Sequence, residues 1–280
     1  MIQSVVVTGA TGNVGRPLVA ELAETGIEVR AITRHPGAGD FPPGVTPFDS
    51  ALAAMAGVDA VFLNARALGD DMAATVAAAR AAGVTRLVAL SAINADDDFS
   101  RQPSRFRGDR NKEVDELAAE SGLQWISLRP TVFASNFAGM WAAQIRAGDV
   151  VGGPYASAST APIADADISA VAAHALLTDD LLGRRVPLTG PEALTNTEMV
   201  EVIGTVLHRP LRYLEAPPDV VRQRFIGLGF GAEFADAYMA LLAETVDRSA
   251  LVTHDVEKIL DRPATSFGQW VSEHRHLFAV

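Results

Sequence analysis

Apolar and polar positions follow two alternating rhythms through the first half of the chain. A β-branched run at Ser4 to Thr8 gives way, past glycines at 9, 12 and 15, to helical spacing over Val14 to Glu24, with Val14, Leu18, Val19 and Leu22 on one side. The alternation then predicts a strand over Glu28 to Thr33, a short helix over Ala51 to Ala56 and a strand over Ala60 to Leu63. It continues with a helix over Met72 to Ala82, a strand over Arg86 to Ser91, a helix over Arg110 to Ser121 and a strand over Trp125 to Leu128, where Arg129-Pro130 breaks it. Repeated strand–helix units dictate an α/β fold, a doubly wound parallel sheet covered on both faces.

After Asn136 the rhythm changes. Gly148 to Ser159 is a connection rich in glycine, serine and alanine, Ile168 to Leu177 is a helix expected to return to the sheet, and from Thr195 the chain is mostly helical, divided by Pro217-Pro218 and Arg262-Pro263. The expected division is a nucleotide-binding domain over 1–135, rejoined by 165–190, and a smaller, mostly helical C-terminal cap made of 136–164 and 191–280.

The first strand-to-helix turn carries the clearest chemistry. A helix that begins inside a glycine turn presents unpaired backbone N–H groups at the positive end of its dipole, which stabilises an anion without a basic side chain. Gly9 allows the tight turn, Gly12 lets backbone touch a pyrophosphate and Gly15 lets helix and strand pack closely. With Ala10, Thr11, Asn13 and Val14 they form the candidate phosphate cradle of a Rossmann-type sheet, although the spacing is G-x-x-G-x-x-G and not G-x-G-x-x-G. Ligands lie at the carboxyl ends of such strands. Those ends carry Thr8-Gly9, Thr33-Arg34, Asn64-Ala65, Ser91-Ala92 and Pro130-Thr131.

Composition narrows the function classes. At 280 residues, 49% hydrophobic and 20% charged, the chain can bury one large core or two unequal ones. Its net charge of −11 leaves no basic tract for nucleic acid or an anionic membrane. The absence of cysteine excludes disulfides and thiolate chemistry, and fits a cytosolic protein. A strand beginning at Ser4 leaves no room for a targeting segment, and no stretch is apolar enough to span a bilayer, so a cytoplasmic protein is expected. The expected partner is a small-molecule substrate, with a second copy of the chain or a regulatory protein left open.

The start V-V-V-T-G-A-T-G-N-V-G, the strands V-R-A-I-T-R and G-V-D-A-V-F-L, the segment S-G-L-Q-W-I-S-L-R-P-T-V-F-A-S-N and the passage L-T-G-P-E-A-L-T-N-T-E-M together resemble the short-chain dehydrogenase/reductase superfamily in its atypical NmrA-like branch. The resemblance covers nearly the whole chain. It implies a dinucleotide lying across the sheet, with the nicotinamide near Pro130, Thr131, Val132 and Phe133 and a substrate cleft between sheet and cap. Members of the branch include reductases of small carbonyls or quinones and dinucleotide-binding regulators.

Charge bears on the cofactor. Where an NAD-selective protein places an acid, roughly 20 residues past the glycines, this chain has Thr33 followed by Arg34. A guanidinium there can pair with a 2′-phosphate, which favours NADP, as NADPH, over NAD; His35 can assist, and a solvated loop arginine is the alternative. Asp49 ends a shortened third strand where related proteins contact the adenine.

The catalytic pattern departs from the family. Short-chain reductases use a Tyr and, one helical turn later, a Lys that lowers the Tyr pKa. Alignment on the helix end at Ser121-Gly122 puts Arg107 at the Tyr position and Asn111 at the Lys position. Asn111 can hold ribose hydroxyls but supplies no charge; Arg107 cannot donate a proton, yet can stabilise an oxyanion or bind an acidic substrate. Lys112 falls nearly opposite the apolar face of Val114, Leu117, Ala118 and Ser121 and is read as solvated. Ser91 stands where relatives hydrogen-bond a substrate carbonyl, or else satisfies local backbone. The candidate catalytic residues are therefore Ser91 and Asn111. Arg107, Phe133, Asn136, Phe137, Trp141 and Tyr155 are the candidate pocket, with cap core as the alternative for the aromatics.

The six histidines show no metal spacing outside the Glu273-His274-Arg275-His276 tail, so no metal is expected; His174 is read as a core histidine, and Asp165 and Asp167 as helix caps. The readings that follow are an NADPH-dependent reductase of a small carbonyl or quinone-like compound, a dinucleotide-sensing regulator without turnover, and a sugar-nucleotide epimerase or dehydratase, which normally needs the missing Tyr-Lys pair.

Overall fold

The computed structural model describes residues 1–37 and 41–279. Its central sheet takes in β1 (Ser4–Val7), β2 (Glu28–Ile32), β3 (Val45–Phe48), β4 (Ala60–Asn64), β5 (Arg86–Leu90) and β6 (Gln124–Pro130). The strands β7 (Val150–Gly153) and β8 (Ser159–Thr160) lie outside it, β9 (Arg184–Leu188) closes its far edge, and β10 (Leu194–Thr195) and β11 (Arg212–Glu215) pair with β8 and β7. The seven strands run parallel in the order β3-β2-β1-β4-β5-β6-β9. The order reverses beside β1, which opens the crevice where a doubly wound sheet takes its ligand.

The helices are α1 (Gly15–Glu24), α2 (Ala65–Leu68), α3 (Met72–Ala81), α4 (Asn111–Glu120), α5 (Ala134–Ala147), α6 (Asp165–Leu177), α7 (Asn196–Leu207), α8 (Pro218–Gly227), α9 (Ala232–Ala243), α10 (Asp255–Leu260) and α11 (Phe267–Glu273). Alternation in β1 decides which helices cover which face. Val5 and Val7 meet Leu18, Val19 and Leu22 of α1 and Ile168 and Val171 of α6, whereas Val6 meets the side built from Met72 and Val76 of α3 and Val114 and Ala118 of α4. Every one of these side chains is buried, each contributing about 1.5–3 kcal/mol.

A third core lies outside the sheet. Phe137, Trp141 and Ile145 of α5 pack with Met199, Val200 and Ile203 of α7 and with Phe267, Trp270 and Val271 of α11. A capping box starts α7, with the Thr195 side chain on the Glu198 N–H and the Glu198 carboxylate on the Thr195 N–H, and another starts α11 with Ser266 and Gln269.

Three expectations change. Residues 51–56 form turns and no helix: Ala54 N–H donates to the Ala51 carbonyl and Val58 N–H to that of Met55, both i→i+3 bonds. The tighter turns bury Ala51, Ala54, Met55 and Val58, so the apolar spacing is met without a helix. The change of rhythm after Asn136 conceals α5, whose Phe137, Trp141 and Ile145 recur at helical spacing. Asp165 and Asp167 do not cap α6: the N-cap is Ala164 with no side-chain bond, and both carboxylates lie inside the first turn, where they meet other elements.

Candidate functional site

Thr8 sets the glycine turn in place. Its hydroxyl donates to the Phe62 carbonyl at 2.9 Å and accepts from the Asn64 N–H at 2.7 Å, lacing the end of β1 to β4 as the chain leaves the sheet. Gly9 then turns at φ +69, a left-handed conformation that favours glycine. A Cβ on Gly15 would stand 2.1 Å from the Gly9 carbonyl oxygen, so only glycine lets α1 start this close to β1; one on Gly12 would meet only that oxygen, at 3.3 Å. Gly12 N–H donates to Gly9 and Arg16 N–H to Gly12, while among the described residues the N–H groups of Thr11, Asn13 and Val14 find no protein backbone acceptor. Three unsatisfied donors at the positive end of α1 fit a pyrophosphate.

The remaining rim residues fall at strand ends. Thr33 is buried and followed by exposed Arg34 and His35, with the His35 N–H on the Thr33 hydroxyl at 3.3 Å; Asp49, exposed, follows β3. Asn64 caps α2 by accepting from the Ala67 N–H at 3.3 Å and flanks Gly9, and Ala65 is buried behind it. Thr131 N–H donates to Leu188, and Val132 accepts from Ile163. Phe133 bridges Ile163 and is the N-cap of α5. Ala10 is buried.

A hydrogen-bond chain that the sequence did not reveal joins three helix starts. Asn13 Nδ2 donates to Ser135 Oγ at 3.1 Å, and the Ser135 hydroxyl donates to Asp165 at 2.7 Å. Ser169, a turn further along α6, donates to the Val14 carbonyl at 2.8 Å. Burial raises the Asp165 carboxyl above its usual range, against the lowering effect of its Ser135 bond. Ser135 falls inside the S-G-L-Q-W-I-S-L-R-P-T-V-F-A-S-N segment and Ser169 outside it, and the spacing of neither shows its partner. The second carboxylate, Asp167, accepts from the Thr265 N–H at 2.7 Å and pairs with Arg262 at 2.8 Å.

Of the candidate catalytic residues, the Ser91 hydroxyl donates to the Asn111 carbonyl at 2.8 Å, and Asn111 Nδ2 lies 3.3 Å from Ser104 Oγ. Lys112 faces Glu116 at 3.9 Å. Arg107 ends a 3-10 turn over Pro103–Arg107 that, with another over Phe99–Arg101, packs against α9. Its guanidinium lies 4.8 Å from the Phe230 ring centre. Phe225 of α8, Phe230 of the turn that follows, and Phe234 and Tyr238 of α9 form one aromatic group. The Tyr238 hydroxyl, pushed up to about 12 by burial, donates to Met140 Sδ on α5 at 3.3 Å. The spacing of 230, 234 and 238 is the signal by which the sequence could have shown this face. Phe137 and Trp141 are buried in the third core, Asn136 is exposed, and Tyr155 is half-buried with a left-handed φ of 47°. His174 is half-buried and meets Asp180 at 2.9 Å. Among the described residues no three His, Cys, Asp or Glu gather as a metal site, and no helix is long and apolar enough to cross a membrane.

Beneath the nucleotide rim, Asp115 of α4, only 1% exposed, accepts from Ser127 and Arg129 of β6 and from Arg185 of β9, all at 2.8 Å. Arg129 also reaches Asp96, and that bond holds the Asp96 carboxyl below its usual range. These charges clamp α4 to two strands beside Pro130.

Comparison with known proteins fits this geometry. A family model described as NAD(P)H-binding matches residues 9–179. A (4-alkanoyl-5-oxo-2,5-dihydrofuran-3-yl)methyl phosphate reductase of Streptomyces griseus is 35% identical over 98% of this chain and 99% of its own. An NAD(P)H azoreductase of Xenophilus azovorans is 30% identical over 99% of both. Among solved structures, an NADPH-dependent quinone oxidoreductase of Escherichia coli complexed with NADPH superposes with a TM-score of 0.81 at 21% identity, covering 97% of this chain and 99% of that one.

Proposed function

The chain belongs to the NAD(P)H-binding family and is an oxidoreductase, and from that premise we propose that it is an NADPH-dependent reductase of a small carbonyl or quinone-like acceptor. The observation that carries the cofactor choice is the end of β2, where Thr33 and exposed Arg34 stand at the positions an acid takes in an NAD-selective protein. A guanidinium contributes two parallel charge-assisted hydrogen bonds to such a group. The names of the azoreductase relative and of the quinone oxidoreductase neighbour support the acceptor class.

A bound NADPH supplies the hydride. Everything else falls to the chain. The free N–H groups at the start of α1 hold the pyrophosphate, backbone from Pro130 to Phe133 shapes the nicotinamide face, and Ser91 and Asn111 hold the wall beside it. With no Tyr-Lys pair, the proton for the reduced acceptor comes from water or from a cap residue. In this reading the α8–α9 aromatic face is the substrate side of the cleft, and the buried third core backs it through the Tyr238–Met140 contact.

The test is a titration with both cofactors, followed by NADPH oxidation across quinones, aldehydes, ketones and azo compounds. NADPH is expected to bind more tightly than NADH, and Arg34→Ala to weaken NADPH alone by about 1.5–3 kcal/mol, roughly tenfold to hundredfold. Equal wild-type affinities would remove Arg34 from this role. One observation favours a second reading, a dinucleotide-sensing regulator: the Ser91 hydroxyl and the Asn111 amide are already engaged by the protein. Tight NADPH binding with no oxidation by any acceptor would select it.

A further inference from the structure

The β5–α4 connection carries Arg101, Arg105, Arg107 and Arg110, and Arg66 of α2 faces it. Four of these five cations have a partner. Arg66 pairs with Asp109 at 3.2 Å, Arg101 with Glu244 of the segment after α9, and Arg105 with Glu113 at 2.7 Å; Arg110 donates to the carbonyls of Arg105 and Asp109 at 3.0 and 3.1 Å. Arg107 differs. Among the described residues its guanidinium has no carboxylate within 4.0 Å and donates no hydrogen bond.

It is nevertheless held in position. The guanidinium carbon lies 4.8 Å from the Phe230 ring centre and 6.0 Å from that of Phe234, rings that are themselves 4.8 Å apart. Stacking on an aromatic face occupies one side of the planar cation and leaves its in-plane N–H fork available. Arg66 Nη2 donates to the Arg107 carbonyl at 3.1 Å, which ties the backbone to the α2 turn that begins at Asn64, beside Gly9. Asp109, two residues on, pairs with Arg66, and burial raises its carboxyl above the usual range against the lowering pull of Arg66 and Arg107. A fixed, unpaired fork therefore stands between the nucleotide rim and the cap, in a chain of net charge −11.

We propose that Arg107 anchors an anionic group, a carboxylate or a phosphate, on the reducible substrate, whose flat apolar body lies against the Phe230–Phe234 wall. The fork matches both groups because each presents two oxygens in a plane. The proposal rests on the reductase reading of the same cleft, and its test separates the two.

Calorimetric titration of the full chain saturated with NADP⁺ compares phenyl phosphate, benzoate and benzyl alcohol. The wild type is expected to bind the two anions at least about tenfold more tightly than the alcohol. Arg107→Met, which keeps an unbranched apolar stem on the rings, should lose that margin, and Arg107→Lys should restore part of it. Tighter phenyl phosphate identifies phosphate as the group; tighter benzoate identifies carboxylate. Anions no tighter than the alcohol, or equal affinities in wild type and Arg107→Met, would overturn the anchor, whether or not any acceptor is reduced. With turnover in hand, the ratio of kcat/KM for 1,4-naphthoquinone-2-sulfonate to that for 1,4-naphthoquinone should fall about tenfold or more in Arg107→Met. An unchanged ratio rejects the anchor and leaves the reductase standing, whereas absence of all turnover counts against the reductase alone.

Discussion

At Gly15 a single methyl group would stand 2.1 Å from a backbone oxygen, and neither that oxygen nor the start of α1 can give way without moving the turn. Gly15→Ala is expected to cost about 3 kcal/mol or more, at the upper end of overpacking, with loss of cofactor binding as a by-product of misplacement. At Gly12 the only contact is at 3.3 Å, so Gly12→Val should keep the fold, within about 1 kcal/mol in a urea melt, and lose NADPH affinity because the side chain fills the phosphate position. A Gly12→Val protein with wild-type affinity would remove the turn from the cofactor site. These glycines were legible because backbone geometry restricts the residue type. The roles of Ser135 and Asp165 were not, since a serine in a helix start fits many environments and only the convergence of α1, α5 and α6 gives this one its partners.

Elements are tied together by polar contacts that periodicity does not report. Arg86, 3% exposed at the start of β5, donates Nη1 to the carbonyls of Ala175, Leu176 and Thr178 at 3.3, 2.9 and 2.6 Å, and Nη2 meets Gln124 at 3.2 Å and Asp179. It thereby satisfies the last turn of α6, whose carbonyls have no partner within the helix. Arg86→Met leaves them buried and unpaired, and is expected to lower stability by about 2–4 kcal/mol in urea melts; Arg86→Lys, with one ammonium against three carbonyls, should recover less than half of that. The start of α6 responds to pH. Because burial raises the Asp165 carboxyl, the folded state keeps a proton that the unfolded chain releases at about pH 3.9, and stability contributed this way is full below that value and lost as pH rises through the folded one. Asp165→Asn keeps an acceptor for Ser135 without the charge. Relative to wild type, it should therefore gain stability as pH rises above about 4, and a difference that does not grow with pH would refute the raised carboxyl. Helix positions in the first half were legible from the apolar stripes of α1, α3 and α4. α5 was missed although its buried stripe is regular, because Asn136 and Gly139 on its exposed side are weak helix formers.

Over the whole molecule, the strands β1, β2, β4, β5 and β6 were legible because runs of apolar residues separated by helices admit few topologies, whereas β9, with Arg184, Arg185 and Pro187, was not, because it makes no such run. The surroundings of Arg107 were not legible either, because they come from the α8–α9 segment, far along the chain from the 3-10 turns it covers. The same topology governs how the protein comes into being. β9 pairs Ile126 of β6 with Arg184, and everything between them includes α5, part of the third core and α6. During synthesis from the N-terminus, β6 therefore emerges as a bare edge, and it stays bare until the chain has made α5, β7, β8 and α6. An unpaired apolar edge is the form in which chains stick to one another. For this protein the hazardous interval of folding is set by the stretch of chain between residues 130 and 184, so a change that slows the docking of α6 on α1 would first be felt as lost yield.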